Sequence, residues 1–254
     1  MNAKSTGKKP VLVVRPLREQ DAFLHLLTQA NIEYQYQPIM HIEPIAEPQP
    51  EVELIKSTIL QFAEFDHAIF ISANAAELGI QWLDEYWPML PTGIEFFAVG
   101  QQTEQILTAY GCPVSTPQKQ QNTEGLLQEM EPLQSLQNKS VVIFRGGGGR
   151  TTLGDTLASR GAAVTYCELY RRVIEQNKLI DAQALIHQAS CLVAHSGELI
   201  QAMGPASNNS IELPLVVPSD RVAEISRKLG YSNVQVAKNA LPESMFEAVQ
   251  AALA

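Results

Sequence analysis

Six residues near the start of the chain, VLVVRP at 11–16, return 130 residues later as VVIFRG at 141–146, with Arg15 falling on Arg145. Two more matches follow in the same order. AIFISANAAE (68–77) pairs with LVAHSGELIQ (192–201), setting Ser72 over Ser196. FAVGQQTEQILTAYG (97–111) pairs with VVPSDRVAEISRKLG (216–230), setting Gly100 over Ser219. A chain that repeats at this scale is most simply two copies of one supersecondary unit.

The unit is α/β. Uninterrupted apolar runs predict strands at 11–14, 34–37, 68–71, 96–99, 141–144, 164–167, 191–194, 214–217 and 234–236, with a weaker one near 113–115. Helical periodicity appears at 18–30, 51–64, 74–86, 102–110, 122–130, 152–160, 179–188, 197–203, 220–229 and 242–252. Alternation of this kind, with strands apolar on both faces, predicts parallel sheets covered by helices on each side. The prolines at 38, 44, 48 and 50 predict a linker. Polar loops are expected at 116–122, 131–140 and 205–212. The order of the pieces suits two consecutive five-strand domains. It suits equally two domains that exchange pieces, 1–38 with 173–254 and 45–166 between them, the chain crossing at 39–44 and 167–172.

Composition removes several functions. The 254 residues are 45% hydrophobic, enough for one large or two medium cores. A formal net charge of −9 makes a poor nonspecific nucleic-acid binder and repels anions at long range. No apolar run approaches the ~18–20 residues of a membrane span. The opening MNAKSTGKKPVLVVRP has too short an apolar part for a signal peptide, so a cytoplasmic location is expected. Cys112, Cys167 and Cys191 form no C-x-x-C, which suits a reducing compartment. Five scattered histidines offer no H-E-x-x-H, and Cys191 with His195 reads as a core cysteine and a strand-end histidine, so no metal is expected.

The segment VVIFRGGGGRTTLGDTL (141–157) is a strand running into glycines before a helix. It lacks the lysine of a P-loop, and Thr151 stands where a dinucleotide fingerprint needs its third glycine. Thr152 with Asp155 fits a capping box. The loop suits an anion through free N–H groups at a helix start, and it suits equally a plain strand-to-helix turn. Around Ser196 the flanking Ala194 and Glu198 exclude a hydrolase elbow.

The ordered motifs resemble one family. They are Arg15–Pro16, FISANA at 70–75, AVGQQTEQILTAYG at 98–111, NTEGLL at 122–127, IFRGGGGRTTLGDTLASRGAAV at 143–164, ELYRR at 168–172 and VVPSDRVAEISRKLGY at 216–231. Together they resemble the uroporphyrinogen-III synthase family across nearly the whole chain. The resemblance implies two flavodoxin-like parallel-sheet domains joined by a two-stranded antiparallel ribbon, with the active site in the interdomain cleft. The first domain is then 1–38 with 173–254, the second 45–166, and the ribbon 39–44 with 167–172. It implies a cofactor-independent enzyme that cyclises hydroxymethylbilane, a linear tetrapyrrole bearing acetate and propionate groups, with loss of water and inversion of ring D.

The resemblance also assigns residues. Carboxylate cups fall at Ser72, Ala73 and Asn74; at Gly100, Gln101, Gln102 and Thr103; and at Gly146, Gly147 and Gly148. Others fall at Ser196, Gly197 and Glu198, and at Ser219 with Arg221. The family's cleft tyrosine falls on Tyr170, placed to assist the departing hydroxyl. Arg15 and Arg145 suit substrate contact or structural ion pairs alike, and Ser72 and Ser196 suit helix caps. Expected partners are the small-molecule substrate alone, without nucleic acid or membrane, acting on a monomer. The other reading is a two-lobed small-anion-binding protein without catalysis.

Overall fold

A computed structural model describes residues 9–17, 21–207 and 210–254. Expectations for the opening segment 1–8, for 18–20 of the first helix and for 208–209 of the polar loop lie outside these residues. The chain is α/β, and its ladders are parallel. It alternates β1 (Val11–Pro16), α1 (Ala22–Gln29), β2 (Tyr34–Pro44), α2 (Val52–Leu60), β3 (His67–Phe70), α3 (Ala73–Tyr86), β4 (Glu95–Ala98) and α4 (Gln101–Tyr110). There follow β5 (Val114–Ser115), α5 (Thr123–Glu129), β6 (Ser140–Gly146), α6 (Thr152–Ser159), β7 (Ala163–Ile174) and α7 (Gln176–Leu185). The chain closes with β8 (Cys191–Ala194), α8 (Gly197–Met203), β9 (Leu215–Val217), α9 (Asp220–Lys228), β10 (Val234–Val236) and α10 (Pro242–Leu253).

Two compact units result, Met1–Ile42 with Val173–Ala254, and Glu43–Arg172. In the first the strand order is β10-β9-β8-β1-β2, parallel throughout. In the second it is β7-β6-β3-β4-β5, also parallel. Each order maps onto the other when β1 is set on β6 and β8 on β3, as the sequence repeat sets them. The chain passes from one unit to the other within β2 and returns within β7. On the first unit's side Glu175 N–H donates to Ile39 O at 2.9 Å, and on the second unit's side Ile45 N–H donates to Leu169 O at 2.9 Å.

The apolar strands are buried on both faces. In β1, Leu12 and Val14 join one core cluster with α7, α8 and α9, while Val11 and Val13 join another with α1 and α10. In the second unit Ile69, Val141 and Ile143 face α5 and α6. Phe70 and Phe144 point to the other side, their rings stacked 4.4 Å apart. Cys112, Cys167 and Cys191 are buried and unpaired, and burial pushes their thiols up to about 11, 12 and 12.

Two sequence expectations fail locally. The segment around Pro38 and Pro44 is not a linker; both prolines lie within β2. Pro38 is tolerated because the β1 ladder skips there, from Val14↔Gln37 to Pro16↔Met40. A residue without an N–H fits such a bulge. Thr152 and Asp155 form no capping box. Thr151 occupies the cap position of α6, and no side chain caps it.

At the base of the second sheet, Asp66 ties β3 to β6. It accepts from Lys139 Nζ at 2.7 Å and from Ser140 N–H at 2.8 Å. Lys139, then the Ser140 N–H, draw its carboxyl down to about 2. A depressed folded-state value stabilises the fold above the unfolded value near 3.8 and is lost as pH falls through about 2. The side chain is 32% exposed, so screening keeps the contribution near ~1 kcal/mol. Asp66→Asn should lower the urea midpoint at pH 7, and its deficit against the native chain should shrink between pH 4 and pH 2.

Candidate functional site

The residues singled out by sequence lie where parallel strands end and helices begin. Ser72–Asn74 follows β3, Gly100–Thr103 follows β4, Gly146–Gly148 closes β6, and Tyr170 lies late in β7. These strands are parallel, so all four groups share the carboxyl edge of one sheet. β3 leads on to β4 and β6 leads the other way to β7, so the strand order reverses between β3 and β6. Chain connections diverge at such a point and leave a crevice there, the usual ligand position in open α/β sheets. In the other unit the reversal falls between β1 and β8, with Arg15 at one strand end and Ser196 just past the other.

Tyr170 is the best-held side chain at this edge. The β6–β7 register slips between Arg145↔Glu168 and Gly146↔Tyr170. The bulge turns both Leu169 and Tyr170 inward, and Tyr170 is 1% exposed. Its ring lies on the backbone of Gly146, where a Cβ would stand 2.3 Å from the ring. Its hydroxyl is 3.0 Å from Ser72 Oγ, and Arg172 Nη2 donates to it at 3.5 Å. The Arg172 guanidinium also stands over the ring, 5.5 Å from its centre. Ser72 meanwhile caps α3 by accepting from Ala75 N–H at 3.2 Å. A phenol is thus tied to the start of a fourteen-residue helix.

The glycine cup is narrower than its sequence suggests. Gly147 N–H donates to Tyr170 O at 2.8 Å, so it offers nothing to a ligand. Gly146 is buried beneath the tyrosine ring. Gly148, at φ +70, begins the exposed part of the loop, where the left-handed backbone calls for glycine. Beyond β4, Gln101 N–H meets Gln121 Oε1 at 3.4 Å, Gln102 is exposed, and Thr103 is buried. After β3, Ala73 and Asn74 start α3 with their N–H groups ahead of the Ser72 cap.

In the first unit Ser196 caps α8 through Leu199 N–H at 3.3 Å, repeating Ser72. Gly197 is packed on Ile225, and Arg221 Nη1 stands 3.9 Å from the position its Cβ would take. The Ser196–Glu198 and Ser219–Arg221 turns are therefore neighbours. Ser219 holds the cap position of α9 without a side-chain bond. Arg15 is paired with Asp21 at 2.7 Å and Asp21 caps α1, so this arginine has a structural role. Arg172 was not singled out from sequence. The signal was available: residues two apart on a strand share a face, which puts Arg172 beside Tyr170. Among the described residues no group of three or more His, Cys, Asp or Glu could hold a metal ion, and no helix is long and apolar enough to cross a membrane.

A family model described as "Uroporphyrinogen-III synthase HemD" matches residues 21–247. The chain is 30% identical over 253 residues to the uroporphyrinogen-III synthase of Escherichia coli K12, covering 94% of this chain and 99% of that protein. To that of Salmonella typhimurium LT2 it is 32% identical over 200 residues, covering 75% and 78%. A crystal structure of a mutant uroporphyrinogen III synthase from the extremely thermophilic bacterium Thermus thermophilus superposes with a TM-score of 0.67 at 14% identity, covering 96% of this chain and 98% of that one. The enzyme from Helicobacter pylori 26695 superposes with a TM-score of 0.60 at 15% identity, covering 96% and 99%. At these identities the superpositions speak for the fold.

The two capping serines make a matched pair for measurement. Ser196→Ala should cost about 1 kcal/mol, the loss of one cap. Ser72→Ala should cost about 1 kcal/mol more, because the Tyr170 hydroxyl loses a partner as well. Urea denaturation of both variants compares them; equal costs would mean that the Ser72–Tyr170 bond contributes nothing.

Proposed function

Because the chain belongs to the uroporphyrinogen-III synthase family, we propose that it cyclises hydroxymethylbilane to uroporphyrinogen III, acting as a lyase in tetrapyrrole biosynthesis. The reading is supported above all by a family match that runs from residue 21 to residue 247. The substrate is a flexible chain bearing carboxylates. An enzyme that must choose which carbon attacks works chiefly by holding the two ends in place.

In this reading the helix starts at the sheet edge bind carboxylates. Ala73 and Asn74 at α3 offer N–H groups and the positive end of a helix, worth about 0.3–1 kcal/mol per contact, up to ~2 when partly buried. Gly148 and the residues after it take the place of Gly146 and Gly147, whose surroundings are already filled. A chain of net charge −9 attracts no anion from afar, so the binding is local.

Tyr170 assists the first step. The ring A hydroxyl leaves as the pyrrole nitrogen pushes electrons into the C–O breakage. The phenol passes its proton to the departing oxygen, which leaves as water. Ring D then attacks the resulting electrophile through its substituted carbon, forming a spiro intermediate that rearranges with ring D inverted. A proton is released as the pyrrole regains its aromaticity, and one water is lost overall. Ser72 and Arg172 aim the phenol and support the charge left on it.

The test is to supply hydroxymethylbilane to the purified protein, without added metal, and to resolve type III from type I product. Type III product is expected, whereas a plain anion-binding protein would leave the bilane to close by itself to type I. Tyr170→Phe should lower the single-turnover rate by about 10²-fold or less, because pyrrole-assisted loss of hydroxide is already easy. Its product should remain type III. An unchanged rate would make the phenol structural, and mainly type I product would make it a positioning group.

A further inference from the structure

Under the glycine loop lies a cavity of about 170 Å³ that contains three arginines, Arg145, Arg150 and Arg172. It lies wholly within the unit Glu43–Arg172 and is too small for a multi-ring ligand, which needs roughly 300 Å³ or more. Arg145 forms its inner wall. The side chain is 4% exposed, and its charge lies over the Tyr166 ring at 5.0 Å. Its Nε donates to Gly146 O at 3.1 Å and its Nη1 to Arg150 O at 3.2 Å. Nη2 has no acceptor among the described residues. It stands against Gly149, where a Cβ would come within 2.3 Å of it. Any larger residue at 149 would displace the guanidinium from the cavity wall.

The repeat shows what a closed version looks like. Arg15 is the counterpart of Arg145, and there Asp21 both pairs with the arginine at 2.7 Å and caps α1. The position 130 residues after Asp21 is Thr151, which caps α6 in place but not in bonding. The second copy has therefore lost the internal carboxylate that satisfies the first. Glu168 approaches only Arg145 Nε, at 3.6 Å, and Glu124 meets Arg150 at 3.4 Å in an exposed pair. Such a pair is weak and easily exchanged for another anion. Thr152, at the open start of α6, lines the same cavity.

We infer that this cavity takes one carboxylate arm of the substrate in the place that Asp21 fills in the first copy. The inference rests on the synthase reading and refines it. Arg145 Nη2 and Arg150 bind the carboxylate; Arg172 also touches the Tyr170 hydroxyl, so an arm seated here registers the substrate against the phenol.

The test uses three variants and two small probes. Arg150→Gln keeps the fold because the side chain is exposed. Gly149→Ala displaces the Arg145 guanidinium. Thr151→Asp rebuilds the first copy's carboxylate and caps α6. Each should raise KM for hydroxymethylbilane about tenfold or more, the effect of losing a charge-assisted hydrogen bond, with kcat changed no more than about threefold. Thr151→Asp should raise Tm while raising KM, a combination that general damage does not give. Propionate should bind the native protein by calorimetry and fail to bind Thr151→Asp. Unchanged KM in all three variants overturns the inference. Inorganic phosphate binding tenfold more tightly than propionate overturns the carboxylate assignment. If the native protein makes no type III product, the synthase reading falls. In that case the propionate arm alone decides whether the cavity is a carboxylate site.

Discussion

The contact between the Tyr170 ring and the Gly146 backbone organises one whole end of the second unit. Placing a ring there requires a residue without a side chain, and the Cβ distance of 2.3 Å leaves no alternative. The same ring depends on the slip in the β6–β7 register, since regular alternation would turn Leu169 and Tyr170 to opposite faces. Once seated, the tyrosine accepts Gly147 N–H at its carbonyl and meets Ser72 at its hydroxyl. Three chain segments, the end of β6, the end of β7 and the start of α3, are thereby joined through one residue.

The two copies use the same framework for different ends. Ser72 and Ser196 cap helices in the same way, and β1 and β6 occupy the same place in their sheets. They differ where a single residue decides whether a buried cation is satisfied internally. A guanidinium that is almost fully buried keeps its charge and must find acceptors. In the first copy Asp21 supplies one. In the second, backbone carbonyls and an aromatic face supply part of the need. Duplication followed by the loss of one carboxylate is a simple route from a structural arginine to a binding one.

Much of the architecture was legible because the strands are apolar on both faces and therefore uninterrupted. VLVV, AIFI, VVIF and CLVA all proved to be strands within a residue or two at their ends. The capping serines were legible for a chemical reason, their position just before an apolar helix. What escaped was local backbone geometry. Prolines 38 and 44 read as a linker because nothing in the sequence announces a bulge that excuses a missing N–H. Gly147 read as an open donor because the acceptor, Tyr170 O, lies on another strand. A repeat of 130 residues fits consecutive and exchanged arrangements equally, so strand partners could not be read from periodicity.

The pairing of β1 with β8 links Val11 to Cys191, 180 residues further along the chain. During synthesis β1, α1 and β2 emerge first, yet the strand that covers β1's open edge is the eighth to be made. At ~5–20 residues per second that wait is roughly 10–35 s. The unit Glu43–Arg172 has all its residues before β8 exists, so it can fold on the ribosome while VLVV remains an uncovered edge. An uncovered apolar edge is an aggregation hazard. The order of translation thus gives the first segment of this chain the longest exposure, and the stretch most in need of a chaperone is its earliest strand.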